Sequence, residues 1–124
     1  MNTFFLKGTD DTPSVILDPA NNLYEFSGRS LPEDVSAFYK PIISWFKETA
    51  VFLPGELCIK FNLEYFNTAS SKAILDVLFQ LETLRDAGHD IKIKWYFDTH
   101  DESMHEAGEE YKELVSLDFE ILPR

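Results

Sequence analysis

The chain has 124 residues, enough for one domain and too few for two. With 44% hydrophobic and 15% aromatic residues it can bury a core without a disulfide or metal staple, which excludes a disordered chain. Its 11 basic residues against 22 acidic ones give a formal charge of −11, which argues against binding nucleic acid or a bare anionic membrane.

The elements follow in chain order. Ser14-Val15-Ile16-Leu17 is a short β-rich run, closed by Asp18-Pro19-Ala20-Asn21-Asn22. Leu23-Tyr24-Glu25-Phe26 answers it, and two such runs around a Pro/Asn-rich turn predict a hairpin. Phe4, Phe5 and Leu6 form a third short strand or tuck under the sheet. Leu31-Pro32-Glu33-Asp34 has the acidic character of a helix start, and Phe38, Ile42, Trp45, Phe46 and Thr49 then recur at helical spacing. Pro41 inside that pattern is expected to kink the helix or to mark its true first turn, and Pro54-Gly55 ends the unit.

Leu57, Ile59, Phe61 and Leu63 alternate with Cys58, Lys60 and Asn62, the period of a strand. After Asn67-Thr68-Ala69-Ser70-Ser71 comes a helical stripe of Ile74, Leu75, Leu78, Leu81 and Leu84, which Gly88 closes. Residues 91–97 read as the next strand, Asp101-Glu102 as the start of a helix carrying Met104, Ala107, Tyr111 and Leu114, and Phe119-Glu120-Ile121 as a short last strand. A hairpin followed by α-β-α-β-α-β argues for one α/β domain over residues 1–124, with a parallel or mixed sheet covered by helices.

Cys58, the one cysteine, excludes an internal disulfide and suits a reducing cytosol. Met1 to Gly8 lack a signal pattern and no apolar run reaches membrane-spanning length, so a soluble, cytoplasmic protein without membrane attachment is expected. No GxGxxG or GxxxxGK[ST] loop supports nucleotide chemistry. Asp101 and His105, four apart beside Asp98 and His100, are the one candidate metal site; two oriented ligands fall short of the three or four that a site needs. An acidic first turn satisfying the helix dipole explains them as well, so no metal or other cofactor is expected. Cys58, mid-strand between apolar neighbours, reads as an inert packed thiol. Trp45, Trp95, Tyr96 and Tyr65 read as core aromatics, and Lys92 and Lys94 as the wet face of their strand.

Asn67-Thr68-Ala69-Ser70-Ser71 remains, at the carboxyl end of a strand where α/β sheets gather their functional groups. Asn67 or Thr68 reads as a helix N-cap. The alternative is a phosphorylation switch. A phosphate on Thr68 would bring about −1.5 to −2 charges to a helix end that tolerates them, and a docked partner would have to desolvate that charge.

Tyr65-Phe66-Asn67-Thr68-Ala69-Ser70-Ser71-Lys72 resembles the Y-x-N-T-S-S-x-K segment of the SiaC-like regulatory phosphoproteins, with Ala69 where a serine often stands. Gly8-Thr9, Thr12-Pro13, Pro32-Glu33, Trp45 and Trp95-Tyr96-Phe97-Asp98 resemble the same pattern in the same order, so the likeness spans nearly the whole chain. The resemblance implies a STAS-like domain acting as a bacterial partner-switching protein without catalysis of its own. It implies Thr68 as phosphoacceptor, served by a Ser/Thr protein kinase and a phosphatase. Asn67, Ser70, Ser71 and Lys72 would flank the phosphate and the partner surface. The unphosphorylated form would bind and activate a GGDEF diguanylate cyclase, raising cyclic di-GMP and favouring biofilm growth. Two other readings are an antagonist of an anti-sigma factor and a small metal-dependent enzyme built on Asp98, His100, Asp101 and His105.

Overall fold

Val15 and Leu17 sit at alternate positions of one short strand and pair with Phe26 and Tyr24 of the next, so that four buried side chains share one face of a hairpin. That hairpin belongs to a six-stranded sheet, with one further strand on its outer side. The computed structural model describes residues 2–124, and among them the chain runs β1 (Phe4–Leu6), β2 (Ser14–Asp18), β3 (Leu23–Ser30), α1 (Val35–Glu48), β4 (Glu56–Phe66), α2 (Thr68–Asp86), β5 (Asp90–Phe97), α3 (Glu102–Leu114) and β6 (Asp118–Pro123). The strands lie in sequence order, antiparallel from β1 to β3 and parallel from β3 to β6. The sheet is therefore mixed, as the order of elements implied.

Each crossover from β3 onward steps the same way along the sheet, and the right-handed rule for parallel connections then puts all three helices on one face. Alternation follows from this: Leu57, Ile59, Phe61 and Leu63 of β4 and Ile91, Ile93 and Trp95 of β5 are buried beneath the helices. The register places Phe5, Ile16, Glu25, Lys60, Lys94 and Glu120 side by side on the opposite face. Cys58, Lys92 and Tyr96 share that uncovered face, half-buried, and Lys92 makes an ion pair with Glu120.

Several expectations from periodicity need correction. Pro41 does not mark the first turn of α1: the helix begins at Val35, capped by Asp34, and runs through Pro41 to Glu48. Its exposed position costs the helix one backbone hydrogen bond where water can replace it. Leu114 falls outside the core at 57% exposure, because α3 meets the sheet through Met104, Gly108 and Tyr111. Tyr65 is 45% exposed, with the Arg29 guanidinium 5.3 Å from its ring centre, and Tyr96 faces away from the helices. Trp45 and Trp95 are core residues, as expected.

Candidate functional site: the first turn of helix α2

A slip in the sheet sets the site. Gly28 pairs with Leu63 but Arg29 pairs with Tyr65, so β4 carries one extra residue at Glu64. Gly28 takes a φ of +94°, where a side chain would be strained. The bulge changes the phase of β4: Glu64 and Tyr65 both face out, and Phe66 turns back to meet the Trp95 and Tyr111 rings. Asn67 follows at the top of the sheet, its N–H donating to Ser30 O at 3.2 Å.

Asn67, rather than Thr68, is the N-cap of α2. Its Oδ1 accepts the Ser70 N–H at 2.9 Å, and its carbonyl accepts the Ser71 N–H at 3.0 Å. Thr68 is then the first helical residue, exposed, its own N–H and that of Ala69 lacking intrahelical acceptors. Lys72 lies one turn on along the same side and is also exposed.

Ser70 and Ser71 point elsewhere. Ser70 is fully buried, so it meets no partner directly, and its Oγ donates to Ser30 O at 2.9 Å while accepting from Ser30 Oγ at 2.8 Å. Tyr39 Oη lies 2.6 Å from Ser30 Oγ. A single arrangement of protons satisfies all three bonds: Tyr39 donates to Ser30, Ser30 to Ser70, and Ser70 to the Ser30 carbonyl. On the other side, Tyr111 Oη of α3 donates to Ser71 O at 2.8 Å and lies 3.2 Å from Ser71 Oγ. Burial pushes both tyrosine hydroxyls up to about 12, the bonds to Ser30 and Ser71 opposing it, so both stay protonated donors. The first turn of α2 is thus bolted to β3, α1 and α3 while Thr68 faces solvent.

Two grooves flank this turn. One, of about 600 Å³, lies between α1 and α2 and is lined by Tyr39, Lys40, Thr68, Lys72 and Asp76 among others. The second, of about 320 Å³, lies between α2 and α3, with Thr68, Lys72, Leu75, Glu110, Tyr111 and Leu114 in its walls. Thr68 and Lys72 belong to both. The arrangement holds a hydroxyl on a rigid, accessible ridge, which suits modification and docking. Tyr39, Lys40 and Ser30 escaped the sequence reading, which placed Tyr111 on its helix but not at this site. Tyr39 shares the helical stripe of Val35, Ile42 and Phe46 and was recoverable from spacing; Ser30 and Lys40 left no such signal.

The remaining candidates are dispersed. Asp101 caps α3, accepting the Met104 N–H at 3.0 Å, and the His105 ring packs on Phe97 with centres 4.7 Å apart. Among the described residues no three His, Cys, Asp or Glu side chains converge as metal ligands. Burial raises the Cys58 thiol, although Lys94, Lys60 and Lys92 act against it. No helix among the described residues is long and apolar enough to cross a membrane.

With the geometry in place, comparison with known proteins decides the family. Residues 6–124 match the family described as SiaC family regulatory phosphoprotein. The chain belongs to that family. An uncharacterised protein of Pseudomonas aeruginosa strain UCBPP-PA14 is 29% identical over 121 residues, 98% of this chain and 96% of that one. SiaC of Pseudomonas aeruginosa is 27% identical, with a TM-score of 0.90 over 100% of both chains. A crystal structure of the diguanylate cyclase SiaD in complex with its activator SiaC, from the same organism, matches at 28% identity and a TM-score of 0.90, covering 98% of this chain and 99% of that one. The family match includes every element that holds the α2 turn, from β2 to β6.

Proposed function

We propose that this SiaC-family protein is a non-catalytic signalling adaptor of the bacterial cytoplasm, switched by phosphorylation at Thr68. Without the phosphate it binds and activates a diguanylate cyclase, raising cyclic di-GMP and favouring aggregation and biofilm growth. A cognate Ser/Thr kinase adds the phosphate and a phosphatase removes it. The observation that carries this reading is the likeness, across 98% of the chain, to a structure in which SiaC is the activator bound to the cyclase SiaD.

The α2 turn supports a switch that works at the surface. Thr68 is exposed, while Ser70 and Ser71 are engaged in bonds that hold the turn. A phosphate of about −1.5 to −2 charges at the helix start leaves the fold intact, since the helix dipole favours it. A partner packed on the ridge would have to desolvate that charge against a chain already at −11. Asn67 and Lys72 flank the phosphate in this reading, and Ser70 and Ser71 hold the turn in place.

Titration of the purified protein with the diguanylate cyclase of its own genome, followed by cyclic di-GMP formation, tests the switch. Thr68→Ala keeps binding and activation. Thr68→Glu folds as stably as the native chain yet weakens binding by about tenfold or more. Equal binding by Thr68→Glu and the native chain would reject the electrostatic switch. Mass-spectrometric mapping on protein from the native host should find phosphate on Thr68 in part of the population.

A further inference from the structure

The two grooves beside Thr68 differ in the charge of their far walls. Across the α1–α2 groove stands Lys40, with Asp76 as the one acid in its lining among the described residues. Across the α2–α3 groove stand Glu110 and the protonated Tyr111, and Lys72 is the one base there. The exposed side of α3 adds Glu106, Glu109 and Glu113 beyond Glu110. Lys40 and Lys72 take no part in the ion pairs found among the described residues, which join Arg85 to Asp86, Lys92 to Glu120 and His105 to Glu109. In a chain with 11 bases against 22 acids, two uncommitted lysines from different helices converge on one groove that contains a threonine.

We propose that a phosphate on Thr68 turns into the α1–α2 groove and is held there by Lys40 and Lys72. The proposal rests on Thr68 being the phosphoacceptor and adds what receives the phosphate. Lys72, one helical turn from Thr68, reaches it from the same face. Lys40 reaches it from across the groove, and the carboxylates of α3 repel it from the opposite side. The phosphate then bridges α1 and α2 and fills the groove mouth, so a partner loses both the lysines and the space. Lys40 is diagnostic, because it lines the first groove alone.

The test uses the full-length protein with phosphothreonine placed at position 68 by genetic-code expansion, and follows the phosphorus NMR shift against pH. The second ionisation of the phosphate, ordinarily near about 6, should lie lower in the native background. Lys40→Met and Lys72→Met should each raise it by about half a unit, Lys40→Arg should not, and Glu110→Gln, which removes one repelling charge, should lower it by less than that. Both lysines are exposed, and matching spectra of the unphosphorylated variants establish that the fold is kept. An ionisation indifferent to Lys40→Met, or one that moves further with Glu110→Gln than with Lys40→Met, overturns the proposal. Such a failure leaves Thr68 standing as phosphoacceptor. An unmodified Thr68 in the native host removes the switch and leaves this titration result untouched.

Discussion

Ser70 and Thr68 are two residues apart and do opposite things. The helical turn between them sends one hydroxyl into the core and the other to water. Ser70 closes a chain of hydrogen bonds from Tyr39 through Ser30 to a backbone carbonyl, all of it buried. Ser70→Ala leaves the Ser30 carbonyl with the Asn67 N–H as its remaining donor and takes away the acceptor of the buried Ser30 hydroxyl. A loss of about 1 to 3 kcal/mol follows, read as a lower urea midpoint with an unchanged slope. Thr68→Ala, at an exposed first position, should stay within about 0.5 kcal/mol of the native chain in the same experiment. The contrast separates the residue that holds the turn from the one that presents it.

Helix α3 is fastened by the absence of a side chain. A Cβ at Gly108 would lie 2.5 Å from Trp95 Cδ1 and 2.9 Å from its Nε1. Trp95 cannot retreat, since its ring is fully buried among Phe61, Phe66, Tyr111 and Phe119 and its Nε1 donates to Met104 O at 3.0 Å. Alanine is the better helix former by about 1 kcal/mol, yet the overlap outweighs that gain. Gly108→Ala is therefore expected to destabilise the fold by about 1 to 3 kcal/mol, measurable by denaturant titration. Because Tyr111 joins the same helix to Ser71, displaced α3 should also loosen the α2 turn, seen as faster amide exchange at Ser70 and Ser71.

For the molecule as a whole, the two buried tyrosines tie stability to alkaline pH. Each hydroxyl titrates near 10 in the unfolded chain and at about 12 in the fold, because burial disfavours the phenolate. The folded state binds these protons more tightly, so their contribution is complete below pH 10 and is lost as pH rises towards 12. Roughly 3 kcal/mol per tyrosine is at stake, and denaturation midpoints should fall across that window. Tyr39→Phe and Tyr111→Phe should each flatten the fall, at the expense of an unpaired partner at Ser30 or Ser71.

The order of strands and helices was legible in the sequence, since a two-residue period in β4 and β5 and a 3.6-residue period in α2 reflect which faces must leave water. The family was legible as well, in Tyr65 to Lys72 and the Trp95 strand, and so was the junction at Asn67 and Thr68, because capping chemistry is local. Local pattern could not tell Ser70 from Thr68 as a surface group, nor Leu114 from Tyr111 as a core residue. Both choices depend on which side of a helix meets the sheet, and for Tyr111 on Gly108 letting α3 approach Trp95. The placing of Lys40 and Lys72, 32 positions apart in sequence, along one groove was likewise decided only by the packing of α1 against α2. Charges distant along the chain become neighbours through tertiary contact, and no periodicity records it.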